Sequence, residues 1–217
     1  MNTIVTKFGG SSLADSIHFK KVKNIIDGNS ERKYVVPSAP GKRFSKDFKV
    51  TDLLYLCHAH VNSGISLDDV FKLISERYHA IVNELNLNFD LNPHLEIIKK
   101  DIENGASVDY AASRGEYLNG LILANYLGID FIDAKDVIKF NKYASLNLEE
   151  TYSLLKDKLS AHERAVIPGF YGSDQHGDIV TFSRGGSDVT GALVAASINA
   201  KLYENWTDVP KSEVKRS

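Results

Sequence analysis

The first forty residues restrict the fold more than any other part of the chain. Residues 3–8 (TIVTKF) are a short β-branched and aromatic run that stops at Gly9-Gly10, the pattern of a strand closed by a turn. Residues 15–27 then carry Ile17, Val22, Ile25 and Ile26 close to helical spacing, with Gly28 where a C-cap belongs. Tyr34-Val35-Val36 is a second short strand, broken by Pro37. Strand, glycine turn, helix, strand is a βαβ unit, which implies a parallel sheet with a right-handed crossover.

The remainder extends that plan. Residues 38–49 are polar, basic and punctuated by Gly and Pro, and read as a surface loop. Residues 51–61 are helical. Ser66 is placed to cap a long helix whose one face carries Leu67, Val70, Phe71, Ile74, Tyr78, Ile81, Val82 and Leu85. Asn92-Pro93 opens another helix, and residues 107–127 form a further one ending at Gly128. Short strands are expected at 129–132, 165–167, 179–182 and 202–206. Helices are expected at 147–159, where Asn147 and Glu150 resemble a capping box, and at 188–199. The expected fold is α/β, a mostly parallel sheet with helices on both faces. Residues 53–127 read as a helical insert, and no linker splits the chain.

Charge and composition remove whole classes of function. With 26 Lys+Arg against 28 Asp+Glu in 217 residues, there is no electrostatic footprint for general nucleic-acid binding. No apolar stretch is long enough to span a bilayer, and the N-terminus lacks the pattern of a signal peptide. A single cysteine, Cys57, excludes a disulfide scaffold and any zinc site built on two or more thiolates. The expectation is a cytoplasmic domain with neither nucleic-acid nor membrane partners.

Three segments carry chemistry. In open α/β sheets, ligands bind outside the carboxyl ends of the strands. Lys7-Phe8-Gly9-Gly10-Ser11-Ser12 combines a lysine, two glycines that let backbone N–H groups approach an anion, and two hydroxyls before a helix. A tight turn needing positive φ is the competing reading. Phe182-Ser183-Arg184-Gly185-Gly186-Ser187-Asp188 repeats the theme. There Arg184 offers a bidentate fork for a carboxylate or phosphate, and Asp188 either joins that chemistry or caps the helix. Ser113-Arg114-Gly115-Glu116 sits inside a helical pattern. Gly115 costs about 1 kcal/mol against Ala there and invites a reason such as close approach. Glu116 suits an ammonium group, or is a solvated face charge. Competing signatures are absent: there is no GxGxxG, Walker loop, HExxH, GxSxG or HRD/DFG pair. His58 and His60 lie two apart on a helix, on different faces.

These segments, with Pro168-Gly169-Phe170-Tyr171-Gly172 and Trp206-Thr207-Asp208-Val209, occur in the order seen in aspartokinases. The chain resembles the catalytic domain of that family, within the amino acid kinase superfamily, from Thr3 to Val209. The resemblance implies a three-layer α/β/α sandwich and ATP-dependent phosphorylation of the side-chain carboxylate of L-aspartate. That reaction is the first step toward lysine, threonine and methionine. It implies ATP and Mg2+ as cofactors and a homo-oligomer in the full-length form. Lys7 would contact the transferring phosphoryl group, and Asp188 would organise Lys7 and the magnesium-bound phosphates. Phe8, Gly9, Gly10, Ser11 and Ser38 would lie at the phosphates, with Gly9 and Gly10 supplying backbone donors. Thr207 and Asp208 would border the nucleotide. Thr51, Phe170 and Ser187 would line the aspartate pocket, Glu116 would hold the ammonium, and Arg184 would fork onto the α-carboxylate. No metal ligand is assigned directly.

The substrate carboxylate is ionised at neutral pH, so no general base is required. The problem is bringing an anion to a polyanion, which calls for positioning and charge neutralisation. After Val209 the chain departs from the family pattern. Residues 210–217 are a short charged tail, the adenine side of the nucleotide site is expected to be missing, and the family's C-terminal regulatory domains are expected to be absent. Two rival readings follow from the same residues. One is a superfamily kinase acting on a different carboxylate, against which Glu116 argues. The other is an inactive aspartate-binding fragment.

Overall fold

The computed structural model of the chain describes residues 2–183 and 185–207. Five parallel strands form the main sheet: β1 (Ile4–Phe8), β2 (Arg32–Pro37), β3 (Asp130–Phe131), β4 (Ala165–Val166) and β7 (Leu202–Trp206). They stand in the order β3-β4-β2-β1-β7. The βαβ expectation holds, with α1 (Ser16–Asp27) crossing from β1 to β2. Asp15 caps this helix by accepting the His18 N–H at 3.0 Å.

Strand alternation assigns side chains to the two faces of the sheet. On one face, Phe8, Val35 and Val166 pack with α1, α2 (Val50–Asn62), α3 (Asp68–Glu84), α4 (Asn92–Glu103) and α5 (Val108–Leu127). On the other, Val5, Tyr34, Val36, Ala165 and Ile167 pack with α6 (Ala134–Val137), α7 (Leu148–Ser160) and α8 (Gly186–Ser197). The result is the three-layer sandwich. The face predicted for α3 is buried at all eight positions. The N-cap of that helix is Leu67 rather than the expected Ser66, which lies one residue earlier and accepts the Asp68 N–H. Ser107 caps α5 by accepting from Tyr110, and Gly128 ends it in the left-handed conformation.

Three features differ from the sequence expectation. The segment 179–182 does not join the main sheet. Its strand β6 (Ile179–Thr181) pairs antiparallel with β5 (Tyr171–Ser173) in a separate ribbon. The chain reverses between them because Asp174 accepts the backbone N–H groups of His176 and Asp178 while Gly177 takes a φ of 87°. The loop 38–49 is only partly a surface loop: Ala39, Pro40, Gly41 and Asp47 are buried. Arg77 of α3 donates to Gly41 O at 3.0 Å and to Asp47 at 2.6 Å, and Arg43 also forks onto Asp47. Finally, the helical stretch is continuous in sequence, but α5 lies against β2, β3 and β4 as a layer of the sandwich.

Candidate active site

Alternation puts Lys7 on the same face as Val5, toward α8, at the carboxyl end of β1. There its Nζ meets Asp188 of the first turn of α8 at 2.8 Å. The lysine side chain is 7% exposed and the aspartate 49%, so the pair has one buried and one wet end. Asn205 of β7 donates to Asp188 Oδ1 at 2.9 Å, and Tyr203 donates to its backbone carbonyl at 3.3 Å. Asp188 is thereby held from two directions while it orients Lys7. Asp188 does not serve as the N-cap of α8. That position is Gly185, in the left-handed conformation at φ 61°.

The double glycine after β1 has a different reason from the positive-φ turn. Gly9 sits at φ −70°. A Cβ on Gly10 would lie 2.8 Å from Ala39 O, and one on Gly41 would lie 2.7 Å from Gly10 C. The Gly41 N–H donates to Gly10 O at 2.7 Å. Two backbones are in direct contact here, locking the turn after β1 to the loop after β2. The Gly9 N–H donates to Trp206 O at 3.0 Å, so the donor role expected of that amide is corrected: it is already used inside the sheet. The 3-10 turn Gly10–Leu13 follows and carries Ser11 at an exposed position. Phe8 contributes backbone and packing. Its ring stacks on Trp206 at 6.2 Å, and its carbonyl accepts the Ser38 N–H at 3.0 Å.

The loop 38–41 joins this end of the sheet to α5. Asn119 Nδ2 donates to Ser38 O at 2.7 Å. A Cβ on Gly115 would stand 2.8 Å from Ala39 Cβ, so the mid-helix glycine is explained by close approach of that loop. Tyr78 of α3 anchors the same turn by donating to Gly115 O at 2.7 Å. Glu116 is 5% exposed, which rules out a solvated face charge. Burial pushes its carboxyl up to about 8, against the pull of the Ala39 and Glu116 backbone N–H groups and of Arg114. Its Oε2 is buried without a hydrogen-bond partner. Burial of this kind favours the neutral acid unless a cation stands beside it. Thr51 lies in the first turn of α2, beside Val50, whose Cγ1 is 3.5 Å from the same Gly115 position.

The third strand end closes the cluster. The Gly169 N–H donates to Pro37 O at 3.0 Å, and a Cβ on Gly169 would lie 2.5 Å from Ser187 Oγ. Phe170 adopts φ 81°, a costly conformation for a residue with a side chain. Its N–H donates to Thr190 Oγ1 and its carbonyl accepts the Phe182 N–H. Thr207 is exposed beside Gly9. Lys7 and Asp188 are in direct contact, Gly10 and Glu116 both meet Ala39 beside Ser38, and Ser187 packs against Gly169 next to Phe170, in the segments that follow β1, β2 and β4 and in the α5 turn packed on them. Arg184 and Asp208 lie outside the described residues. Asn119 and Asn205 belong to this cluster and were not expected. The visible signal for Asn119 was its place one turn after Glu116, on the same face.

A lysine-bearing strand end, a glycine-packed turn and a buried acidic helix position are carried by an α/β domain with a mainly parallel sheet. Residues 2–211 match the amino acid kinase family, and the chain belongs to that family. Aspartokinase 3 of Bacillus subtilis is 37% identical over 222 residues, covering 94% of this chain and 48% of its own length. The crystal structure of Clostridium acetobutylicum aspartate kinase superposes with a TM-score of 0.94 at 63% identity, covering 96% of this chain and 48% of that one. Escherichia coli aspartokinase III in complex with aspartate and ADP superposes with a TM-score of 0.81 at 25% identity, covering 96% and 49%. The chain thus spans about half the length of the relatives it matches.

Proposed function

We propose that this chain forms the aspartate and phosphate half of an aspartate kinase, and that the protein phosphorylates the side-chain carboxylate of L-aspartate with MgATP to give 4-phospho-L-aspartate. The observation that carries the reading is Glu116, a buried carboxylate with one oxygen unpartnered. Such a group suits the ammonium of an unmodified amino acid and disfavours an acylated substrate, which has no such cation. The relatives whose names state aspartate kinase activity support the same substrate.

The chemistry then follows from charge. The attacking carboxylate has an ordinary pKa near 3.9 and needs no base. Lys7 brings a fixed positive charge to the end of β1, and Asp188 holds it in place. The turn opened by Gly10 and the first turn of α8 present backbone N–H groups to phosphate oxygens. Ser38, Ser11 and Thr207 flank the phosphate path, and Thr51, Phe170 and Ser187 line the aspartate pocket. The resemblance assigns the α-carboxylate to Arg184 and the nucleotide border to Asp208. Among the described residues no group of three or more His, Cys, Asp or Glu is arranged to hold a metal. Mg2+ would be carried on the triphosphate with Asp188 as the adjacent carboxylate, and would there neutralise phosphate charge.

A coupled ADP-release assay with MgATP tests the reading. Release that depends on L-aspartate is expected. Release with a different acid assigns another superfamily reaction. Aspartate binding with no release assigns an inactive fragment.

A further inference from the structure

Among the described residues four buried side-chain polar atoms have no hydrogen-bond partner. Two are guanidinium donors, the Nε atoms of Arg77 and Arg164. The other two are acceptors, Glu116 Oε2 and Asn119 Oδ1. Both acceptors lie on α5, one helical turn apart and on the same face. Both side chains reach consecutive residues of one loop: the Ala39 N–H bonds the Glu116 carboxylate, and Asn119 Nδ2 donates to Ser38 O at 2.7 Å. That donation also fixes which way the Asn119 amide faces, because a carbonyl oxygen only accepts. Its oxygen is thereby the end left without a partner.

Asn119 is fully buried. A side chain kept only to hold Ser38 would need a donor alone. Burying a second, unanswered acceptor costs free energy and calls for a missing donor. An ammonium carries three N–H donors, enough to answer both acceptors at once. We propose that Glu116 Oε2 and Asn119 Oδ1 together form the recognition site for the substrate ammonium, with Asn119 as a specificity-determining residue that touches the amino group. The inference rests on the aspartate reading above and adds a second ligand to it. Glu116 supplies the charge. Asn119 supplies direction, since an amide oxygen accepts without competing for the proton.

The test compares L-aspartate with succinate, the same dicarboxylate without the amino group, by titration calorimetry on the chain. Asn119→Leu keeps the branched shape of the side chain and removes the acceptor, together with the donor to Ser38 O. It is expected to weaken L-aspartate by about tenfold or more, as for loss of a hydrogen bond to a charged group. Succinate is expected to stay within about twofold, a change too small to represent a lost contact. Equal weakening of both ligands means that Asn119 only fastens Ser38, and overturns the proposal. No weakening of either overturns it as well. Should Asn119→Leu fail to fold, Asn119→Ser, whose hydroxyl is too short to span the same gap, is expected to show the same split. Glu116→Gln separates the two levels. If that variant loses the preference for L-aspartate while Asn119→Leu keeps it, the aspartate reading stands and the two-acceptor site falls. If Glu116→Gln keeps the preference, the aspartate reading itself falls and takes this site with it.

Discussion

If Glu116 holds the substrate ammonium as proposed, aspartate binding depends on pH. Its carboxyl is raised from 4.5 to about 8, chiefly by burial. Only the ionised form attracts an ammonium. With a pKa of about 8, about one tenth of the protein has the competent form at pH 7 and about one hundredth at pH 6. The apparent affinity is reduced by that fraction, so it is expected to fall about tenfold for each pH unit below 8. The bound ammonium holds Glu116 ionised, so close to one proton is released per aspartate bound near pH 6.5. Calorimetry in two buffers of different ionisation enthalpy, between pH 6 and 8 and without nucleotide, measures both quantities. Over this range both carboxylates of free aspartate are ionised throughout, so the ligand adds no slope there. The stability of the ligand-free chain runs the opposite way. The folded protein holds a proton on Glu116 that the unfolded chain has already released above pH 4.5, so this group lowers stability as pH rises from about 4.5 to about 8. Glu116→Gln is expected to flatten that component. An aspartate affinity that is level from pH 6 to 8, with no proton release, would refute the argument.

Lys7→Ala is expected to abolish measurable turnover while circular dichroism and thermal unfolding stay close to the parent, because the abandoned Asp188 is half-exposed and can be hydrated; normal turnover would remove Lys7 from the mechanism. Gly10→Ala places a methyl 2.8 Å from Ala39 O, a backbone atom that cannot swing aside, and is expected to destabilise by about 1–3 kcal/mol in a denaturant melt. An unchanged midpoint would mean that the two loops are not locked as described. Arg77→Met removes one of the two cations on the buried Asp47 carboxylate, whose pKa lies well below the usual range chiefly through Arg43. A loss of about 3 kcal/mol is expected, and a variant as stable as the parent would show that Arg43 alone suffices.

The local elements were legible because their signals are local. Apolar spacing identified the buried face of α3, and Asn147 and Gly128 marked helix ends by their own capping chemistry. The βαβ order implied the parallel sheet, and the motif residues implied where its site would lie. Other features depend on what stands opposite. Gly10 read as an anion-cradle or tight-turn glycine and Gly115 as a sign of close approach by an unnamed neighbour; the loop 39–41 is what presses against both. The strand at 179–181 looked like part of the main sheet, since a three-residue run does not state its partner; pairing with β5 was settled by the turn at Asp174 and Gly177. Asn119 read as an ordinary helix position, and Glu116 stayed open between an ammonium partner and a solvated face charge, because the burial of a polar atom is a property of the neighbours that shut out water. Those neighbours come from distant segments of chain, so helix periodicity carries no trace of them.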